Sequence, residues 1–184
     1  METLIGKYKV ETVHDEHPES PRQWDNLGKM VCFHNSYNLG DEHEYRHQDY
    51  QGWEHMEREI IKNEDVGVIL PLYLYDHSGI TMNTTGFHCP WDSGKVGFIF
   101  ISKDKIRHEY SKKRISKQLI NKVKEYLKAE VDVYDKYLTG DTYGYRITNT
   151  ETDEEVDSCW GFLGEENCMT EGESIAKYMV AKVD

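Results

Sequence analysis

The chain has 184 residues, a formal net charge of −12 and 12% aromatic residues. So negative a chain is a poor non-specific binder of nucleic acid or of an anionic membrane, because both kinds of binding rely on summed positive charge. The length favours one domain covering residues 1–184.

Four cysteines are spread along the chain, and none of them forms a C-x-x-C pair. The first residues lack the apolar core of an export signal. No apolar run approaches the roughly 18 residues that a membrane span needs. We therefore expect a cytoplasmic protein whose thiols, on Cys32, Cys89, Cys159 and Cys168, stay free in a reducing compartment.

The first third of the chain predicts short strands separated by loops. Lys7–His14 alternates well enough for a strand, and Met30–His34 is a short apolar strand candidate. Asp15–Asp25 contains two prolines and is predicted to be a loop. Asp49 is expected to cap a helix over Tyr50–Lys62.

Two apolar, β-rich runs in the middle of the chain predict two largely buried strands of one sheet. They are Val66–Tyr75 and Val96–Ile101. The segment of about twenty residues between them is long for a loop inside a compact domain. It contains Trp, Phe, Cys and three Gly, so we expect an ordered loop on a rigid base, where binding sites tend to lie.

The second half predicts one long helix between smaller elements. Ser102 is expected to cap a short helix over Lys103–Tyr110. Apolar and aromatic residues at three-four spacing predict a helix over about 116–139, with Tyr126 on its apolar face, and Gly140 is expected to end it.

The remaining segments predict a β-hairpin and a terminal helix. The hairpin strands are Thr142–Thr148 and Glu155–Phe162, joined by a polar connector, and a short helix is expected over Glu173–Lys182. The fold class is α+β, a mostly antiparallel sheet with the long helix packed on it and shorter helices.

Metal and nucleophile motifs are weak in this sequence. A cluster of Asp76, His77, His88 and Cys89 is one interpretation, but hydrogen-bonded loop histidines are favoured because no zinc spacing occurs. Ser78 lies beside His77 and Cys89 beside His88, yet neighbours in sequence do not make a triad, and there is no G-x-S-x-G elbow. We therefore predict no catalytic residue, no metal and no cofactor.

Phosphate recognition has two candidate sources. The turn Trp91-Asp92-Ser93-Gly94-Lys95 could present backbone N–H groups to an anion beside Lys95, although a tight turn before a strand explains it better. Basic residues also cluster between Lys103 and Lys128 in an otherwise acidic chain. About half of them should be the solvated face of the long helix, while Arg107 and Arg114, or Lys113, at the helix junction suit a phosphate.

Aromatic residues beside Gly, Asp or Asn are typical of base recognition, in which a ring stacks on the base and polar groups bind its edge. Filling the core beneath loops is at least as good an explanation for each of them singly. The predicted binding residues are Trp24, Asp25, Asn26, Trp91, Asp92, Ser93, Lys95, Arg107, Arg114, Tyr143 and Tyr145.

Four segments together resemble a widespread family of bacteriophage proteins. They are Ser20–Gly28 with Tyr37–Asp41, Leu70–Met82, Cys89–Phe98, and Tyr137–Tyr145 with Asp157–Phe162. The resemblance covers about residues 18–164. It implies a counter-defence protein, an oligomeric sponge that sequesters a cyclic dinucleotide signal of host immunity such as CBASS without cleaving it. This implication is an analogy between families and carries no residue roles with it.

Three hypotheses follow. The first is this nucleotide-binding sponge, a homo-oligomer in the cytoplasm of the infected host. The second is an acidic protein-binding inhibitor or DNA mimic acting on a host restriction or repair enzyme, which the charge of −12 favours. The third is a small metal-dependent hydrolase that uses Asp76, His77 or Asp92.

Overall fold

The computed structural model describes residues 1–182, and these form eight strands and four α-helices. The strands are β1 (Glu2–Ile5), β2 (Tyr8–His14), β3 (Lys29–Cys32), β4 (Val66–Asp76), β5 (Ile80–Asn83), β6 (Ser93–Ser102), β7 (Thr142–Asn149) and β8 (Glu154–Leu163). The helices are α1 (Trp53–Asn63), α2 (Lys103–Glu109), α3 (Lys117–Leu138) and α4 (Glu165–Ala181). All strand pairs are antiparallel, so the predicted α+β class and the long helix are confirmed.

The chain divides into two compact units, which we call the terminal unit and the central unit. The terminal unit contains Met1–Ser20 and the chain from Lys136 onward, and the central unit is Pro21–Asp135. Helix α3 belongs to the central unit as far as Asp135. The prediction of one domain over 1–184 stays a prediction beside this division.

The terminal unit is a sheet of order β1-β2-β7-β8 covered by helix α4. Val10, Tyr145 and Ile147 of the sheet pack with Cys168 and Ala176 of the helix. The predicted hairpin is confirmed as β7 and β8. Strand β8 lies at the edge of the sheet, and its pairing with β7 shifts register at two places.

Helix α4 begins at Glu165, so the prediction of a start at Glu173 was wrong. Gly172 lowers the helix propensity of this segment. A Cβ at Gly172 would lie 2.7 Å from Cγ1 of Val10, and glycine therefore lets the helix approach the sheet closely. Packing on the sheet stabilises a helix that local propensity does not indicate.

The central unit is a sheet of order β3-β6-β4-β5 with helices on both faces. On one face, Met56 and Ile60 of α1 pack with Phe98 and Phe100 of β6. Ile99 points to the opposite face, because side chains alternate along a strand. A Cβ on Gly28 would lie 2.6 Å from Cδ2 of Leu127 on α3 and 2.8 Å from Cγ1 of Ile99, so Gly28 sits where α3 approaches the sheet.

The two strands predicted from the apolar runs are paired as expected in β4 and β6. The segment between them contains strand β5, which extends the sheet from β4 and which the sequence did not indicate. Strand β1 was missed in the same way. Both strands are four residues long, and alternation over so few residues is a weak signal.

The expected cap of α1 was wrong. Asp49 lies in a short 3-10 turn, and α1 begins at Trp53 after Gly52, whose φ of +86° favours glycine. The predicted cap of α2 is confirmed. Ser102 Oγ accepts the N–H of Lys105 at 3.2 Å at the start of α2.

Helix α3 ends in a Schellman motif, as the predicted glycine indicates. Gly140 has φ of +74°, its N–H donates to the Tyr137 carbonyl at 3.2 Å, and the Asp141 N–H donates to the Lys136 carbonyl at 2.8 Å. Tyr126, expected on the apolar face of α3, is 50% exposed. The buried positions of α3 are Val123, Leu127, Val131 and Tyr134.

Arg22 makes a buried ion pair in the central unit, with only 4% of its side chain exposed. Its Nε and Nη2 donate to the two carboxylate oxygens of Asp41, each at 2.8 Å. Nη2 also donates to the Gly28 carbonyl at 2.8 Å, and Nη1 lies 3.4 Å from Oε2 of Glu130. The planar guanidinium thus joins carboxylates from a loop and from α3.

The two carboxylates of this network also hold the backbone. Asp41 Oδ2 accepts the Met30 N–H at 2.7 Å at the start of β3. Glu130 Oε1 accepts the Leu27 N–H at 2.6 Å, which fixes the loop ahead of that strand. Glu130 is therefore a structural residue of α3.

In the part of the chain that the structure describes, no helix has both the length and the apolar composition to cross a bilayer.

Replacing Arg22 by Ala should destabilise the protein by about 3 kcal/mol, because the partly buried carboxylates of Asp41 and Glu130 lose their cation. Chemical denaturation followed by circular dichroism measures the free energy of unfolding. Arg58→Ala, on an exposed position of α1, is the matched control and should change it by less than about 0.5 kcal/mol. Equal small losses for both variants would contradict a structural role for the network.

Candidate functional site

A cleft beside α2 brings four basic side chains together. Lys103 and Arg107 lie one turn apart on α2, and Lys113 and Arg114 lie in the loop between α2 and α3. The cleft has a volume of about 400 Å³ and is here called the basic cleft. Its lining consists of Gly67, Lys103, Arg107, Lys113, Arg114, Ile115 and Ile120. Arg107 and Arg114, the two arginines predicted from the sequence, therefore line one cleft.

Short backbone contacts position the loop that carries Lys113 and Arg114. The Ser111 N–H donates to the His108 carbonyl at 3.2 Å, and the Lys112 N–H donates to the Arg107 carbonyl at 3.0 Å, which turns the chain back after α2. Ser111 has φ of +49°, in the left-handed region. These two hydrogen bonds attach the beginning of the loop to the last turn of α2.

The charge of the basic cleft is only partly neutralised. Two cations form exposed ion pairs, Lys103 with Asp65 and Arg107 with Asp104, each with its N and O atoms 2.5 Å apart. Lys113 and Arg114 are exposed and have no acidic partner among residues 1–182. Exposed ion pairs contribute about 0–1 kcal/mol each, so an incoming anion can displace them.

The predicted anion-binding turn is instead the beginning of strand β6. Ser93 and Lys95 pair with Tyr75 and Tyr73 of β4, so their backbones belong to the ladder. The Lys95 ammonium lies 3.7 Å from Glu57 Oε2 and 4.0 Å from the centroid of the Phe98 ring. Burial lowers the pKa of Lys95, and Glu57 opposes that effect.

Trp91, Asp92, Ser93 and Lys95 nevertheless line one groove, of about 530 Å³, which we call the Trp91 groove. Its other lining residues are Phe33, His34, Asn35, Ser36, Leu74, Asp76, Gly94 and Val96. A second groove of about 790 Å³ shares Phe33, His34 and Asn35 with it and extends to His43 and Trp53. The two grooves are adjacent parts of one surface of the central unit.

The Trp91 groove and the basic cleft lie at opposite ends of strand β4. Gly67 lines the cleft, whereas Leu74 and Asp76 line the groove. Gly67 and Leu74 are about 23 Å apart along the strand at roughly 3.3 Å per residue. One small ligand therefore does not contact Arg107 and Trp91 in the same chain.

Asp25 and Asn26 line a third, smaller pocket, of about 230 Å³. It also contains Tyr110 and Tyr126, which are not among the predicted binding residues. Lys105 and Glu109 of α2 line this pocket, so they face away from the side of α2 that carries Lys103 and Arg107. Trp24, which precedes Asp25 in the sequence, is 47% exposed. Its carbonyl accepts a hydrogen bond from Asn26 Nδ2 at 2.9 Å.

Tyr143 and Tyr145 lie in the terminal unit, on strand β7. Tyr145 is 4% exposed, packs in the core under α4, and donates its hydroxyl to Asp157 Oδ2 at 2.9 Å. Burial and this hydrogen bond raise the pKa of Tyr145. The Tyr143 ring lies 4.5 Å from the His14 ring, centroid to centroid. Core packing thus accounts for Tyr145.

The residues considered for catalysis form few mutual contacts. His77 Nδ1 lies 3.6 Å from Asp92 Oδ2, and Cys89 Sγ donates to the same oxygen at 3.5 Å. Among residues 1–182, no group of three or more His, Cys, Asp or Glu side chains is arranged to hold a metal ion.

No protein-family model, curated protein or solved structure matches this chain. The resemblance to phage proteins therefore stays a prediction.

The four thiols should differ strongly in reactivity. Burial raises the pKa of Cys32 to about 12 and that of Cys168 to about 11, whereas Cys159 is exposed. In the native protein at pH 8, Cys159 should react with iodoacetamide about a hundredfold faster than the two buried thiols, because the thiolate is the nucleophile. Timed labelling with peptide mass spectrometry measures the rates. Unfolding in urea should make the rates similar, and equal rates in the native protein would contradict the burial of Cys32 and Cys168.

Proposed function

We propose that this protein is a phage counter-defence protein that binds a cyclic dinucleotide immune signal and sequesters it without cleaving it. The observation that supports the proposal is the convergence of Arg107 and Arg114 with two lysines in the basic cleft. In a chain with a net charge of −12, such a local concentration of positive charge is what an anionic ligand requires.

The chemistry of the basic cleft suits a phosphodiester. Arg107 and Arg114 each carry a planar fork of donors that matches two phosphate oxygens. Lys103 and Lys113 add compact positive charges at the rim. Ile115, which is half-buried, offers an apolar surface to the sugar or base next to the phosphate.

Sequestration requires binding alone, so no nucleophile or metal enters this proposal. The proposed setting is the cytoplasm of an infected host cell, with the protein acting as a homo-oligomer. The aromatic residues predicted to stack on bases are not required for phosphate binding, because Trp91 lies at the far end of β4 from the basic cleft.

A second candidate is an acidic inhibitor that occupies a basic site on a host restriction or repair enzyme. The observation that favours it is the net charge of −12 together with exposed carboxylates such as Glu154 and Glu155 on β8. The two candidates differ in their partner. A complex of this second kind should weaken steeply as the salt concentration rises, because salt screens the attraction between the acidic protein and its basic partner.

Ligand binding should raise the melting temperature of the protein, because a ligand that binds the native state alone stabilises it. The experiment uses a panel of cyclic dinucleotides, cyclic trinucleotides and cyclic ADP-ribose isomers. For the ligand that gives a shift, heat denaturation should release the molecule intact, as measured by chromatography. A hydrolysed product would contradict sequestration, and no shift across the panel would overturn the nucleotide proposal.

The double variant Arg107→Ala/Arg114→Ala should weaken binding of that ligand by about a hundredfold or more, because each charge-assisted hydrogen bond contributes about 1.5–3 kcal/mol. Isothermal titration calorimetry measures the dissociation constants. Arg58→Ala, which removes an arginine from an exposed position of α1, should leave the affinity within about twofold. Unchanged affinity in the double variant would remove the basic cleft from the binding site.

A further inference from the structure

Trp91 is the most exposed large hydrophobic side chain among the described residues, at 92% exposure. It lies between β5 and β6 at the mouth of the Trp91 groove. The Tyr37 ring, 39% exposed, stacks on the His34 ring at 4.9 Å between centroids, and His34 also lines this groove. Exposed Trp and Tyr side chains of this kind are the residues that most often dominate binding to another protein.

Two carboxylates lie beside these rings. The Asp76 N–H donates to the Asp92 carbonyl at 2.8 Å, which places the last residue of β4 next to the residue that precedes β6. Asp76 Oδ1 accepts the Tyr37 hydroxyl at 3.5 Å, and both aspartates line the Trp91 groove. Ring faces and carboxylates are thus within one concave surface.

The groove contains little positive charge to oppose these carboxylates. Lys95 is its one Lys or Arg side chain in the described part of the chain, and its ammonium is engaged with Glu57 and the Phe98 ring. A phosphate would meet Asp76 and Asp92 here, so the groove suits a cation and disfavours the anion proposed for the basic cleft. The two surfaces therefore differ in charge as well as in position.

We propose that the Trp91 groove binds an arginine side chain presented by a basic segment of a partner protein. The guanidinium would stack on the Trp91 ring and donate to Asp76 and Asp92, an arrangement that uses both its flat face and its edge. The net charge of −12 steers such a basic segment toward this protein. This surface is separate from the proposed nucleotide site, so either proposal can fail without the other.

The test uses a fluorescein-labelled peptide of alternating Arg and Gly residues, with fluorescence polarisation as the readout. Trp91→Ala should weaken binding about tenfold, since the guanidinium loses the ring face on which it stacks. Trp24→Ala removes a half-exposed Trp outside this groove and is the matched control, with an expected change below about twofold. Trp91 is almost fully exposed, so its replacement should leave the fold intact.

A charge-matched pair of double variants separates a site from general attraction. Asp76→Asn/Asp92→Asn should weaken peptide binding about tenfold or more. Glu154→Gln/Glu155→Gln removes the same charge from exposed positions of β8 and should change it by less than about threefold.

Three results would overturn the proposal: no binding of the peptide at low salt, equal losses in the two double variants, or an unchanged affinity in Trp91→Ala. A lysine peptide of the same design should bind more weakly than the arginine peptide, because lysine lacks the flat face. Equal binding of the two peptides would show a response to charge alone and would also contradict stacking.

Discussion

The buried pair of Arg22 and Asp41 is the interaction on which the central unit depends most. Through Glu130, the same guanidinium is tied to helix α3, and through the backbone groups of Leu27 and Met30 it is tied to the entrance of β3. Three segments far apart in sequence therefore share one charged group. A buried ion pair adds little net stability compared with an apolar core, but losing one partner is costly, and this asymmetry fixes a single arrangement of the chain. The surfaces that include residues of β4 and β6 belong to the unit that this network holds in place.

Much of the fold could be predicted from local patterns. The three-four spacing of α3, its terminal Gly140 and the cap at Ser102 are decided by neighbouring residues, and the structure confirms them. The missed elements depend on partners distant in sequence. Strand β5 forms by hydrogen bonding to the edge of β4. Helix α4 continues through Gly172 because it packs closely on the sheet at that position. Single-sequence patterns contain neither fact.

The candidate site was predictable in part for the same reason. Lys103 and Arg107 are one helical turn apart on a predicted helix, so sequence alone places them on one face. The packing of α2, the loop after it and β4 brings Arg114 to the same cleft. The same packing places Trp91 at the other end of β4, and sequence spacing indicates neither position. Composition indicated candidate types of binding residue, yet it could not separate a basic surface from an acidic, aromatic one. Tyr145 is an example, because a tyrosine ring can stack on a ligand or pack in a core, and residue type alone does not distinguish the two.

The irregular edge of the terminal unit bears on how copies of this protein behave together. Strand β8 is exposed along most of its length and carries Val156 and Trp160, which would make a flat strand of this kind prone to join another edge. Its two register shifts, one of them beside Gly161 at φ of +85°, bend the strand and interrupt the row of free backbone groups. Glu154 and Glu155 add negative charges that would repel each other if two copies of β8 paired edge to edge. These features make edge-to-edge pairing of β8 between copies of this protein unfavourable.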